Sequence, residues 1–178
     1  VNGSVISSAT SYKYLGVNLQ NDLSWNIRVS SIVNKANRTL GYLKRHLSSA
    51  PPNIKHLAYI TLVRPQLEYA SAVWDPSTAY LVRDLEAVQN RATNFITSNC
   101  SPYTSISSLK KHMNLAELHV RRRAARLSLF HKFYHSPAIR SSYINPPHRI
   151  SSRIDHKLKV VRLKCNTQSF SNSFFPKT

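Results

Sequence analysis

Residues 23–45 read LSWNIRVSSIVNKANRTLGYLKR. Within and just beyond them Val29, Ile32, Val33, Ala36, Leu40, Leu43 and Leu47 recur mostly at spacings of three and four. That is the period of a helix with one apolar side. Arg28, Lys35, Arg38 and Arg45 fall on another stripe, so the same helix carries a basic side. Ser48 to Pro52 ends it, because two successive prolines cannot sit inside a helix.

Moving toward the C-terminus, a second helix is expected from about Asn53, an N-cap residue type, with Ile54, Leu57, Ala58, Thr61 and Leu62 on one face. Pro65 should end or kink it. The apolar run Leu67 to Trp74 reads as a buried helix, with a strand as the alternative, and Asp75-Pro76 as a turn or helix start. Leu81, Leu85, Val88, Ala92, Phe95 and Ile96 form the cleanest helical stripe in the chain. After a loop around Asn99 to Tyr103 comes a short helix capped by Ser105 or Ser107, then a long one over about 115–134. Its two apolar stripes are Leu115, Leu118, Ala125, Leu129 and Phe133, and Val120, Ala124, Leu127, Phe130 and Tyr134. A helix apolar over so much of its surface is expected to be largely buried. Beyond His135 the chain turns to Ser, Pro and Asn with scattered basic residues, broken at Pro146-Pro147 and strand-like only over 158–165, and reads as a loosely attached tail.

Toward the N-terminus, Asn2-Gly3 is a strong hairpin-turn signal, with Val5 and Ile6 beginning the returning strand. Residues 12–19, YKYLGVNL, alternate as a strand with Leu15, Val17 and Leu19 on one face. The strand that should precede Asn2-Gly3 is missing and Val1 stands where an initiator Met would, which reads as a piece of a longer frame. The expected class is mainly α, with a short N-terminal β-hairpin (1–22), a multi-helix bundle (23–135) and an irregular basic tail (136–178).

The chain of 178 residues has 25 Lys and Arg against 7 Asp and Glu, a formal charge of +18. That excess is far beyond what solubility needs and points to a polyanionic partner, nucleic acid above all. No run of 18 apolar residues occurs, so no membrane span is expected. No signal peptide is visible either, and a nuclear or cytoplasmic, non-secreted protein is expected. Arg121, Arg122, Arg123 and Arg126 cluster inside an apolar helix and must turn toward a phosphate, a carboxylate or the surface. The scarce acids form no DxD or DD pair able to hold two metal ions for phosphoryl transfer. Glu68 and Asp75, seven apart, could face one another on a helix and read first as structural ion-pair or cap residues. His112, His119, His131 and His135 invite a zinc reading, but no HExxH or zinc-finger spacing with Cys100 or Cys165 supports it. With three glycines and no GxSxG, neither a phosphate-cradling Gly loop nor a nucleophile elbow is present, and no small-molecule substrate is evident.

Taken in order, YKYLGVNL, LSWNIRVSSIVNKANRTLGYLKR, TLVRPQLEYASAVWDP, LEAVQNRATNFI, LHVRRRAARLSLFHKFYH and the closing NSFFPKT resemble the region after the catalytic palm in non-LTR (LINE-type) retrotransposon reverse transcriptases, of the kind found in arthropod genomes. The resemblance covers most of the chain. It implies that Tyr12 to Leu19 is the strand of a primer-grip hairpin at the palm–thumb junction and that the helical thumb begins at Trp25. Gly16 would let the backbone approach a primer strand, and Tyr14 would pack beneath a sugar. Arg28, Lys35, Arg38, Arg45 and the arginines at 121, 122, 123 and 126 would hold an RNA or RNA–DNA template–primer by its backbone, without reading sequence. It also implies that the palm and fingers, with their catalytic carboxylates and Mg, belong to the parent protein. The chain alone needs no cofactor and is expected to be inactive in synthesis. The alternative is a free-standing basic helical RNA- or DNA-binding protein with no polymerase origin.

Overall fold

The computed structural model describes residues 9–98, 104–147, 149–156, 158–161 and 163–178. The Asn2-Gly3 turn, Val5, Ile6 and Cys100 lie outside them. The chain is mainly helical after a short antiparallel hairpin, as its periodicities require. Strands β1 (Ser11–Tyr14) and β2 (Val17–Gln20) pair with Tyr12 opposite Leu19 and Tyr14 opposite Val17. The run 12–19 is therefore not one strand but two, folded back at Leu15-Gly16. Both turn residues have positive φ, 45° and 79°, the pattern of the two-residue hairpin turn that matches strand twist. Leu15, expected on the buried face, sits exposed at the tip, while Val17 is buried.

Helix α1 (Asn26–His46) buries Val29, Ile32, Ala36, Leu40 and Leu43, as its spacing predicts. It also buries Arg28. After the Ser/Pro break come α2 (Pro52–Ala58), a π turn (Tyr59–Val63) and α3 (Arg64–Glu68), running on without interruption. Pro52 stands in the first turn, where its missing N–H costs nothing, so Asn53 is not the cap. Pro65 does not end the helix. The wide turn before it, in which the Arg64 N–H reaches back to the Tyr59 carbonyl, lets the helix continue through a residue that has no N–H of its own.

This turn also overturns the expected face. Ile54, Leu57 and Leu62 are exposed, and the residues that enter the core are Lys55, Tyr59, Val63 and Leu67. A strict four-residue repeat drifts around a helix of 3.6 residues per turn, and the wider π turn takes up the drift. The helix stops at Tyr69, and Ala70, at φ 55°, turns the chain into α4 (Ser71–Trp74). The stretch 67–74 is thus helical but broken, and Glu68 and Asp75 do not share a helix.

Helix α5 (Ala79–Thr97) is the centre of the bundle. It packs against α1, α2, α6 (Ile106–His112) and α7 (Leu118–His135). The predicted stripe Leu81, Leu85, Val88, Ala92 and Ile96 is buried, and Gln89 and Thr93 are buried with it. Gln89 is satisfied on both sides: Tyr59 Oη donates to its carbonyl at 2.8 Å, and its amide donates to the Ala116 carbonyl at 3.0 Å. Burial pushes the Tyr59 hydroxyl well above its ordinary pKa, so it stays a donor there.

The tail is irregular over most of its length, with α8 (Pro137–Tyr143), α9 (Gln168–Ser171) and α10 (Phe174–Lys177) as short helices. It is not loosely attached. Phe174 and Phe175 pack on Phe133, Tyr143 stacks on Phe175, and Lys177 Nζ donates to the Asp75 carbonyl at 2.9 Å.

Candidate nucleic-acid interface

The ten residues singled out for nucleic-acid contact separate into two groups. Arg28 belongs to the interior. Its Nη1 donates to the Gly16 carbonyl at 2.6 Å and its Nη2 to the Tyr69 carbonyl at 3.4 Å, and the guanidinium lies over the Tyr69 and Trp74 rings. Among the described residues no carboxylate faces it, and burial lowers its pKa. Tyr69 Oη donates to the Leu15 carbonyl at 2.9 Å, so the hairpin tip is tied down twice. Gly16 is needed for its positive φ; a Cβ there would meet only the Tyr69 ring at 3.6 Å, an ordinary contact. Tyr14 is exposed on β1.

The arginine cluster of α7 also turns mostly inward. The Arg122 side chain is 0% exposed and its Nε donates to Asp75 Oδ1 at 2.9 Å. Arg126 donates to Asp75 Oδ2, and Lys177 approaches the same oxygen at 2.9 Å. Burial alone would raise the Asp75 pKa, but the hydrogen bonds from Lys177 and Arg122 outweigh it and hold the carboxyl below its usual value. Arg121 makes a two-pronged contact with Glu68, which raises the guanidinium pKa. Arg123 remains exposed. Aliphatic residues take the outward positions instead: Val120 and Leu127 are exposed, against the expectation that this helix buries its apolar surface. Three charged partners for the one carboxylate that follows α4 decide which face goes in, and spacing alone cannot show that.

Lys35, Arg38 and Arg45 are exposed on α1, and among the described residues none is in an ion pair. At 3.6 residues per turn they fall within an arc of about 80°, and their ten-residue spread covers about 15 Å of helix. Tyr42 sits in the same arc, 55% exposed, with its ring 4.2 Å from that of His46. Helical spacing singled out the three cations; Tyr42 among them and its ring neighbour His46 are legible in the sequence only as an i, i+4 relation.

The acids sharpen this surface. Among the described residues, Glu68, Asp75, Glu86 and Asp155 pair with Lys or Arg side chains and Glu117 faces the His119 ring, which leaves Asp22 and Asp84 outside such contacts. Comparison with protein-family models, with curated proteins and with solved structures finds no match. Among the described residues, no three His, Cys, Asp or Glu side chains come together to hold a metal ion, and no helix is long and apolar enough to cross a membrane. His131 and His135 are ring neighbours at 4.4 Å, while His119 faces Glu117.

Proposed function

We propose that this chain grips the sugar–phosphate backbone of a nucleic-acid duplex along the outward face of α1, as the thumb-like part of a LINE-type reverse transcriptase holding its RNA or RNA–DNA template–primer. The observation that carries the reading is the row Lys35, Arg38 and Arg45: exposed, free of ion pairs and aligned over about 15 Å. Such a row tracks phosphates without touching base edges, so it fixes register rather than sequence. Its arginines suit phosphate oxygens by their fork geometry. Glu68 and Asp75 are engaged by arginines, which leaves the chain a holding role rather than a synthetic one.

The test is the salt dependence of affinity for a short RNA–DNA hybrid. Three neutralised phosphates contribute a slope of about 2 to 3 log units in affinity per log unit of salt. K35A/R38A/R45A should remove most of that slope while leaving the fold intact. Salt-insensitive binding, or a slope the triple variant does not change, would sink the proposal.

A further inference from the structure

Beyond the basic row, the N-terminal turn of α2, the last turn of α5 and the end of α6 leave a cleft of about 600 Å³. Its walls include Asn53, His56, Ile96, Leu109, His112 and Met113. The volume is in the range of small-ligand sites, and the walls combine apolar side chains with a few polar groups, as such sites do. His56 Nε2 is buried and has no hydrogen-bond partner among the described residues. A buried ring nitrogen left unpaired is costly, and a group that supplies its partner is correspondingly favoured.

We propose that this cleft receives a single unstacked nucleobase from the nucleic acid whose backbone lies along α1; the inference rests on that reading of α1 and adds a site to it. The lining residues include no carboxylate, so a cation finds no counter-charge there. The two buried lysines that adjoin lining residues are already engaged, Lys55 with Ser98 Oγ at 2.9 Å and the Phe95 ring and Lys110 with Glu86, so neither is free to hold an anion. A neutral planar heterocycle meets both conditions. Its faces suit Ile96, Leu109 and the polarisable sulfur of Met113, and its edge offers donors and acceptors to His56 Nε2 and the Asn53 amide. The basic row and the cleft are neighbours along the chain. Arg45 and His46 close α1, and residues 47–51 lead directly to Pro52 at the cleft.

Two measurements on the full chain decide this. The first compares a hybrid carrying a single-stranded overhang with the same hybrid made abasic at one overhang position after another. A captured base is worth about ten-fold in affinity at one position. That preference should vanish in H56A while the salt slope persists. Equal affinity for all abasic forms, with a normal salt slope, overturns the cleft proposal and leaves the α1 reading standing.

The second measurement does not depend on the α1 reading. Met113 is the sole methionine, so its labelled methyl group gives one NMR signal. Titration with adenosine should shift and saturate it in the wild type, and should do so more weakly in H56A. An unmoved signal overturns the proposal even where the chain binds the hybrid. A saturating shift in a chain that shows no salt-dependent binding supports the cleft while refuting the α1 reading. Should H56A fail to fold, the abasic series and the wild-type titration decide alone.

Discussion

Replacing Asp75 with asparagine removes the carboxylate on which Arg122, Arg126 and Lys177 converge. The Arg122 side chain is 0% exposed and that of Arg126 7%, so water cannot take over the lost charge, and two Arg122 nitrogens and one of Arg126 already lack partners. Breaking a buried pair from one side costs about 3–5 kcal/mol, a large part of the 5–15 kcal/mol typical of a folded domain. With a urea slope of about 2 kcal/mol per molar, the midpoint of D75N should fall by about 2 M. Trp74, fully buried beside Asp75, reports the transition by fluorescence. D155N, at a pair whose Lys159 side chain is 42% exposed, should leave the midpoint where it is. The pH dependence follows with a definite sign. The folded pKa of Asp75 lies below its unfolded value, so its contribution is complete above about pH 4 and is lost as pH falls toward the folded value. D75N should therefore lose less stability than the wild type below pH 4. A midpoint shift no larger than that of D155N would refute the reasoning.

The hairpin supplies two further predictions. R28K replaces a fork that spans two carbonyls with a single ammonium, and should cost about 1.5–3 kcal/mol, read as faster amide exchange across Ser11–Gln20. Unchanged exchange there would show that Arg28 does not hold the turn. G16A should cost about 1–2 kcal/mol in thermal unfolding, because φ is +79° and not because the methyl group clashes. G16N should cost less, since asparagine tolerates the left-handed region; equal losses would point to a steric cause instead.

Where a helix is regular and its core side apolar, spacing was enough. The buried faces of α1 and α5 are those that Val29 to Leu43 and Leu81 to Ile96 predict, and the mainly helical class with a leading hairpin follows from the same patterns. Periodicity fails where geometry or charge intervenes. The π turn at 59–63 re-aims the helix so that Tyr59 and Val63 go in and Leu57 and Leu62 stay out. On α7 the anchoring pairs are long-range, with Asp75 reached from Arg122 across 47 residues, and no local pattern announces them. Leu15 is β-like by composition, yet its neighbour Gly16 makes the pair a turn. The basic row of α1 was visible as a stripe, but Arg28, two turns before it, could be told apart only once Gly16 and Tyr69 were seen beside it.

The ties around Arg28 have a mechanical meaning. The carbonyls of Leu15 and Gly16 are held by Tyr69 and Arg28, the Tyr69 carbonyl accepts from Trp74 Nε1 at 2.6 Å, and the next residue, Asp75, is clamped from α7 and from Lys177. Each of these bonds is 2.9 Å or shorter, and all but the exposed Tyr69–Leu15 bond are partly buried. The hairpin tip is therefore the end of a stiff lever: a load placed on Leu15-Gly16 is delivered to α7 and to the C-terminal turn rather than absorbed by a hinge at Ala70.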